Sequence, residues 1–323
     1  MNFKNEIKSM ATKTKFSKKE LSEILSNYDL GEFKDSKLFT GGKVQINTLI
    51  KTTKGKFVFR YYEKNRSKKS VLFESNLIKY LKDRNYPCPA PFKNKCGKFV
   101  GIFNKEPYVI FEFVEGKHIK NQNKNQKKQL IKKVAELQNI TKDYKSYNKK
   151  YRWNYGIELC RKLAQRKAVK INTINSKEKL KWLESKLLEL NLPKSLPKGI
   201  CHCDFHFSNV LFKNNKFNAL LDFDDANYTF LMFDLVGLIE SWAWPHDKVL
   251  DFKKAKEILQ EYTKYRSLNN NEKRHLFDLY KLSILIDCIW YFERGSVKDF
   301  REKRKIDFLN NIGREKFYHE LFS

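Results

Sequence analysis

The chain opens polar, and its first ordered pattern begins at Ser17-Lys18-Lys19-Glu20, with Leu21, Ile24 and Leu25 following at helical intervals. A serine with a glutamate three residues on is a helix start, and the stripe behind it predicts a helix of about three turns. Short apolar runs come next. Leu38-Phe39-Thr40 meets Gly41-Gly42, Val44-Gln45-Ile46-Asn47 follows, and Thr53-Lys54-Gly55-Lys56 makes a turn before an apolar run at 57–62. Such alternation predicts a β-meander with a glycine corner near its start. Leu72, Phe73, Leu77, Ile78 and Leu81 then form a helical stripe, which Pro87, Pro89 and Pro91 bring to an end. Two further strands are expected at 99–103 and 108–114, closing at Glu115-Gly116.

Beyond Gly116 the apolar period lengthens. Helical patterns cover 126–138, 153–167, 176–190 and 231–244, and continue to the end of the chain. The fold class expected is therefore α+β. A small antiparallel β-sheet lobe with one main helix occupies residues 1–115, and a larger, mainly α-helical lobe occupies 116–323. No internal repeat or long linker is visible.

Composition changes this picture little. The 323 residues are 41% hydrophobic and 15% aromatic, which is a globular composition. No apolar run reaches the roughly 20 residues of a membrane helix, and MNFKNEIKSMATKTKFSKKE is too polar for a signal-peptide core. A soluble, cytoplasmic protein is expected, and with it reduced thiols at Cys88, Cys96, Cys160, Cys201, Cys203 and Cys288. Lys+Arg 66 against Asp+Glu 37 gives +29, a balance that raises nucleic acid as a partner. The lysines, however, are spread along the chain beside asparagines, as in KNNKFN, and the excess weakens after residue 226. Stacking platforms for bases need aromatics among the charges, and here most aromatics lie in apolar runs. Non-specific anion affinity is expected, and nucleic-acid function is not.

One stretch concentrates chemistry: ICHCDFHFSN, residues 200–209. Two cysteines and two histidines suggest zinc. Structural zinc takes four ligands, usually as two spaced pairs. A second pair is missing, because Cys88 and Cys96 are not at ligand spacing. In a strand, Cys201 and Cys203 would share a face with His202 turned away. The same segment also reads H-x-D-x-x-x-x-N, with His202, Asp204 and Asn209. After it come Val210-Leu211-Phe212, a turn at 213–216, and a second apolar strand expected over Ala219-Leu220-Leu221-Asp222-Phe223-Asp224. Such a hairpin brings Asp204, Asn209 and Asp222 to one end. That trio suits phosphoryl transfer. One carboxylate takes the proton of an acceptor hydroxyl, while an amide oxygen and a second carboxylate hold Mg2+ on the phosphates of ATP.

HCDFHFSNVLF followed by LLDFDDA resembles the aminoglycoside phosphotransferase and choline kinase superfamily, which has a bilobal protein-kinase-like fold. The likeness extends over most of the chain, and it implies Asp204 as the catalytic base. Asn209 and Asp222 become metal ligands, with Asp224 as a possible further one. His202 braces the loop, and Asp234 secures it from a following helix. In the first lobe, Arg60 stands where the phosphate-contacting lysine is expected, and Glu74 matches its helix partner. Gly41-Gly42 occupies the place of the loop over the nucleotide, and backbone groups near Glu112, Phe113 and Val114 that of the adenine contacts. Three departures stand out. Cys203 replaces a glycine, which ordinary backbone angles would permit. Phe207-Ser208 replaces a Pro-Gly or Pro-Asp pair. Arg60 replaces lysine and changes the geometry of its contacts, with Lys43 or Lys56 as alternatives.

Twelve positions separate Asp222 from Asp234, too few for the long activation segment of protein kinases, so a small-molecule hydroxyl acceptor is expected. The nearest likeness is to the homoserine kinases of the superfamily, through LPKGI, LLDFDDA, LIESWAW and WYFER. An amino-acid acceptor needs a cation for its carboxylate, with Arg294 a candidate, and an acid for its ammonium, with Glu240 or Glu293 as candidates. Helix-surface ion pairing is the plainer role for each. Choline would want an aromatic cage, for which Trp242, Trp244, Trp290 and Tyr291 are available. Ethanolamine, sugars and aminoglycosides remain alternatives. A non-catalytic basic pseudokinase or nucleic-acid binder is the alternative from another class.

Overall fold

Ser17 opens the first helix as its spacing predicts. Its hydroxyl accepts the Glu20 N–H at 3.2 Å, and the Glu20 carboxylate accepts the Ser17 N–H at 2.7 Å. In the computed structural model, which describes residues 15–39, 45–63, 66–146, 148–244, 249–300 and 302–323, this helix is α1, Lys18–Ser26. The chain divides into two units, Met1–Glu115 and Gly116–Ser323.

The first unit is built on five antiparallel strands: β1 (Phe33–Leu38), β2 (Ile46–Thr52), β3 (Gly55–Tyr61), β4 (Gly101–Phe103) and β5 (Glu106–Glu112). Their order across the sheet is β1-β2-β3-β5-β4. Alternation sorts the side chains. Ile46, Ile50, Phe57, Phe59, Tyr61, Tyr108 and Ile110 join Leu21, Ile24 and Leu25 of α1 in one core. The intervening residues, Val58, Arg60, Val109 and Phe111, take the opposite face, and α2 (Lys68–Lys82) packs against β5.

Three strands differ from expectation in their bounds. β1 lies earlier than Leu38-Phe39-Thr40 and reads FKDSKL, with no fully buried side chain. As an edge strand it has one neighbour and little apolar alternation to betray it. β4 and β5 are both shifted, and Pro107 falls inside β5 opposite Ile102, its carbonyl accepting the Tyr62 N–H at 3.0 Å. The expected glycine corner at Gly41 and Gly42, with Lys43, lies outside the described residues.

The second unit contains α3 (Lys124–Ile140), α4 (Ile157–Ile171), α5 (Ile174–Leu188), α6 (Met232–Ala243), α7 (Phe252–Thr263), α8 (Asn270–Trp290) and α9 (Lys303–Phe322). Buried α8 packs against α4, α5, α6 and α9. α4 begins later than the pattern suggests, because a 3-10 turn at Lys149–Tyr151 and an extended Gly156 precede it. Among the described residues no helix is long and apolar enough to cross a membrane.

Two strand pairs set the active segment against these helices. β6 (Lys198–Cys201) pairs with β9 (Asn227–Phe230), and β7 (Val210–Lys213) pairs with β8 (Lys216–Leu220). Asn214 and Asn215 turn the second hairpin with φ of 51° and 61°, the left-handed pair that a tight two-residue turn requires. The β6–β9 pair was not foreseen, since four residues are too few to show a period.

Candidate active site

β6 ends at Cys201, so Cys203 is not on the strand and the two cysteines do not share a face. His202 turns inward instead and is fully buried. Asp234, on α6, causes this break. One of its oxygens accepts the His202 N–H at 3.0 Å and the other the Cys203 N–H at 2.8 Å. Two successive N–H groups converge on one carboxylate only if the chain reverses, and Cys203 accordingly has φ +65°. Its backbone angles are not the ordinary ones that would suit a cysteine in a glycine's place. Left-handed geometry costs an L-residue about 1–2 kcal/mol. Burial raises the Asp234 carboxyl to about 6, against the pull of these N–H donors.

The His202 ring spans the loop. Nε2 lies 3.0 Å from Leu221 O, and Nδ1 accepts the Asp204 N–H at 3.3 Å. Burial lowers its pKa to about 4, so the ring is neutral, with the proton on Nε2. It thereby ties Asp204 to the residue before Asp222.

Asp204 keeps an exposed surface. Its Oδ2 accepts the Asn209 amide N–H at 2.6 Å, and its own carbonyl accepts from the same nitrogen at 3.0 Å. The carboxyl is raised to about 6, chiefly because packing around it removes water; Asp222 and Asp225 add repulsion, and Asn209 opposes the shift. The structure therefore brings Asp204 and Asn209 into contact and sets Asp222 within electrostatic reach. β8 stops at Leu220, short of the expected strand. Asp222 takes φ 60° and ψ 66°, and a 3-10 turn at Phe223–Asp225 follows, with Asp224 buried in it.

These donors fit a hard cation. Asn209 spends its nitrogen on Asp204, which leaves its oxygen, and Asp222 and Asp224 add carboxylate oxygens. Mg2+ needs only one or two carboxylates, because substrate phosphates supply further oxygens. Among the described residues no group of three or more His, Cys, Asp or Glu is arranged to hold an ion. The cysteines are free thiols. Cys201 Sγ faces Phe230 O at 3.3 Å, and Cys203 Sγ accepts from Asn227 Nδ2 at 3.4 Å.

In the first unit Arg60 and Glu74 are both buried, and the Arg60 guanidinium lies 5.2 Å from the Tyr62 ring centre. Glu112 is tied on both sides. Its carboxylate accepts from Lys82 at 2.8 Å and from Ala90 N–H at 3.2 Å, while its own N–H donates to Ala90 O at 2.8 Å. Phe113 and Val114 follow the strand end, and exposed Lys56 lies 5.6 Å from the Phe113 ring centre.

The acceptor candidates scatter. Glu240 is bound by buried Lys305 at 2.5 Å, an internal ion pair and not an open ammonium site. Glu293 lies 4.0 Å from Lys167, and Arg294 sits over Tyr291. Trp244 is 1% exposed and stacked on Tyr280, so it serves the core and no ligand cage. Trp242 pairs with Lys127, and Trp290 stacks on Trp153.

Sequence reading missed Arg152, Asn227 and Asp225. Arg152 donates to three carbonyls in the turn after Asp222. Buried Asn227 links the Cys203 thiol to Asp225 O. Asp225 adjoins two carboxylates already noticed and was the one legible from sequence.

The sequence profile of the Phosphotransferase enzyme family matches residues 37–268, well over half of the chain. The homoserine kinases of Afipia carboxidovorans and Bartonella henselae are each 28% identical over 303 residues, covering 93% of this chain and 88% and 90% of theirs. Among solved structures, amicoumacin kinase hAmiN in complex with AMP-PNP, Ca2+ and Ami superposes with a TM-score of 0.64 at 15% identity, over 95% of this chain and 93% of that one. The microcompartment-associated aminopropanol kinase gives 0.60 at 15%, over 89% and 93%. The fold is the protein-kinase-like one, and the chain belongs to the phosphotransferase enzyme family.

Proposed function

We propose that this phosphotransferase is an ATP- and Mg2+-dependent kinase that phosphorylates the hydroxyl of a small amino-acid alcohol, homoserine before others. The observation that carries this reading is the Asp204–Asn209 pair. Asn209 fixes one carboxylate oxygen of Asp204 at 2.6 Å, which leaves the other to orient the acceptor hydroxyl and accept its proton. A carboxyl raised to about 6 is a stronger base than an ordinary aspartate and is still largely ionised at neutral pH. Asn209, Asp222 and Asp224 hold the metal through oxygen. When bound, Mg2+ offsets the negative charge of the nucleotide phosphates.

In this reading Met1–Glu115 binds the nucleotide and Gly116–Ser323 the acceptor. Buried Arg60 serves the phosphates with buried Glu74 as its partner, and the backbone of Gly41 and Gly42 serves them too. With the Glu112 N–H engaged by Ala90, the backbone of Phe113 and Val114 is left to meet adenine. The homoserine preference is supported by relatives of that name covering 93% of the chain.

ADP release should be measured with homoserine, choline, ethanolamine, aminopropanol, sugars and an aminoglycoside. Homoserine should give the highest kcat/KM, and Asp204→Asn should lower kcat by about 10²–10⁴, with Asp222→Ala similarly inactive. Wild-type turnover in both variants would remove the site assignment. Preference for another acceptor would remove homoserine alone.

A further inference from the structure

Arg152 lies in the connection between α3 and α4, just after the 3-10 turn at Lys149–Tyr151, and its side chain is buried. The guanidinium reaches across more than 70 residues of sequence to a single turn. Nε donates to Ala226 O at 2.9 Å, and Nη2 donates to Phe223 O at 2.9 Å and to Asp224 O. That turn carries Asp222, Asp224 and Asp225, begins with left-handed Asp222, and runs straight into β9. Phe223 O also accepts the Ala226 N–H at 3.1 Å, but a single 3-10 turn leaves its later carbonyls without helical partners, and burying them requires donors. A planar guanidinium supplies several donors in fixed directions, which a lysine cannot.

We propose that Arg152 is a positioning residue that presets the metal-holding turn. By fixing three carbonyls, it fixes the backbone from which Asp222 and Asp224 project, so that a cation meets them without reordering. The proposal rests on the reading above that these aspartates hold the metal.

Two consequences of Arg152 oppose one another, and this gives the test its sign. Its positive charge works against a nearby cation, so loss of charge alone would tighten metal binding. Loss of the clamp loosens it, and residues that orient ligands typically change metal affinity about 10–100-fold. The geometry favours the clamp.

Mn2+ serves as the probe, its free concentration followed by electron paramagnetic resonance with ADP present. Wild type, Arg152→Met, Arg152→Lys and Asp222→Asn are compared. Both Arg152 variants should bind Mn2+ about tenfold or more weakly, and amide hydrogen exchange over 222–226 should accelerate without a general rise elsewhere. In turnover, the Mg2+ requirement should rise while KM for the acceptor stays within about twofold of wild type. Should Arg152→Met fail to fold, Arg152→Lys, which keeps the charge and loses the fork, decides alone. Wild-type or tighter Mn2+ binding in the Arg152 variants, with Asp222→Asn weakened, overturns the clamp and leaves the metal assignment standing. Unchanged binding in Asp222→Asn overturns the metal assignment and the clamp with it.

Discussion

Cys203 is held at φ +65° by a carboxylate that can be altered without touching the reacting groups. In Asp234→Asn one acceptor oxygen becomes an amide donor, so that either the His202 or the Cys203 N–H faces another donor. The lost hydrogen bond to a charged group is worth about 1.5–3 kcal/mol, and the stranded buried N–H adds to that. A loss of about 3–5 kcal/mol lowers Tm by about 6–20 °C in a unit of this size. Asp204 follows Cys203 directly, so kcat should fall at least about tenfold as its carboxylate leaves its position. Cys203→Gly tests the cause. Glycine removes about 1–2 kcal/mol of left-handed cost and returns about 0.4–1 kcal/mol through the freer unfolded chain. In the wild-type background the net gain is therefore small. In the Asp234→Asn background the cost at residue 203 is what drives the loop from its shape, so Cys203→Gly should restore several-fold in kcat. Thermal unfolding by circular dichroism and ADP release complete the four-variant cycle, with an expected coupling of about 1 kcal/mol. If Cys203→Gly has the same effect in both backgrounds, within about 0.3 kcal/mol, Asp234 does not impose the left-handed turn.

His202 is buried and neutral, with its pKa lowered from 6.5 to about 4. As pH falls below 6.5 the unfolded chain takes up the proton first. The stabilisation is thus complete above 6.5 and lost progressively down to about 4, a total of about 3 kcal/mol. His202→Gln should flatten that part of the acid profile in urea unfolding, and an unchanged profile would contradict the neutral-ring account. Gln138 donates to Leu231 O at 2.7 Å and accepts from the Tyr262 hydroxyl. Gln138→Leu strands both partners and should cost about 2–4 kcal/mol, of which Tyr262→Phe in the same chain should recover part; strictly additive losses in denaturant unfolding would break the proposed link. Burial holds the thiols of Cys201 and Cys203 well above the ordinary value, whereas Cys96 is exposed. Alkylation at neutral pH followed by peptide mass spectrometry should therefore label Cys96 first, and early labelling of Cys203 would show its thiol to be open.

What the sequence disclosed follows a physical division. Asp204, Asn209 and Asp222 were readable as a candidate site because the proposed phosphoryl transfer demands particular side chains, and the loop and hairpin between them are short enough to fix their spacing. The α1 start was readable for the same reason, since Ser17 and Glu20 satisfy each other within one turn. β1 was misplaced because an edge strand needs no apolar alternation. The left-handed turn at Cys203 was hidden because its cause, Asp234, lies 31 residues away. Arg152 is the extreme case. Three of its bonds end on carbonyls 71 to 74 residues distant, and a carbonyl is present at every position of a chain. No residue type in the turn at 223–226 records that a guanidinium is required there. A motif search therefore finds the groups proposed for the chemistry and misses those that hold their backbone. In this protein both His202 and Cys203, which raised zinc and then failed it for want of a second ligand pair, belong to the second kind of residue. They shape the loop around Asp204, and their sulfur and imidazole nitrogen are spent on Asn227, Leu221 and Asp204 itself.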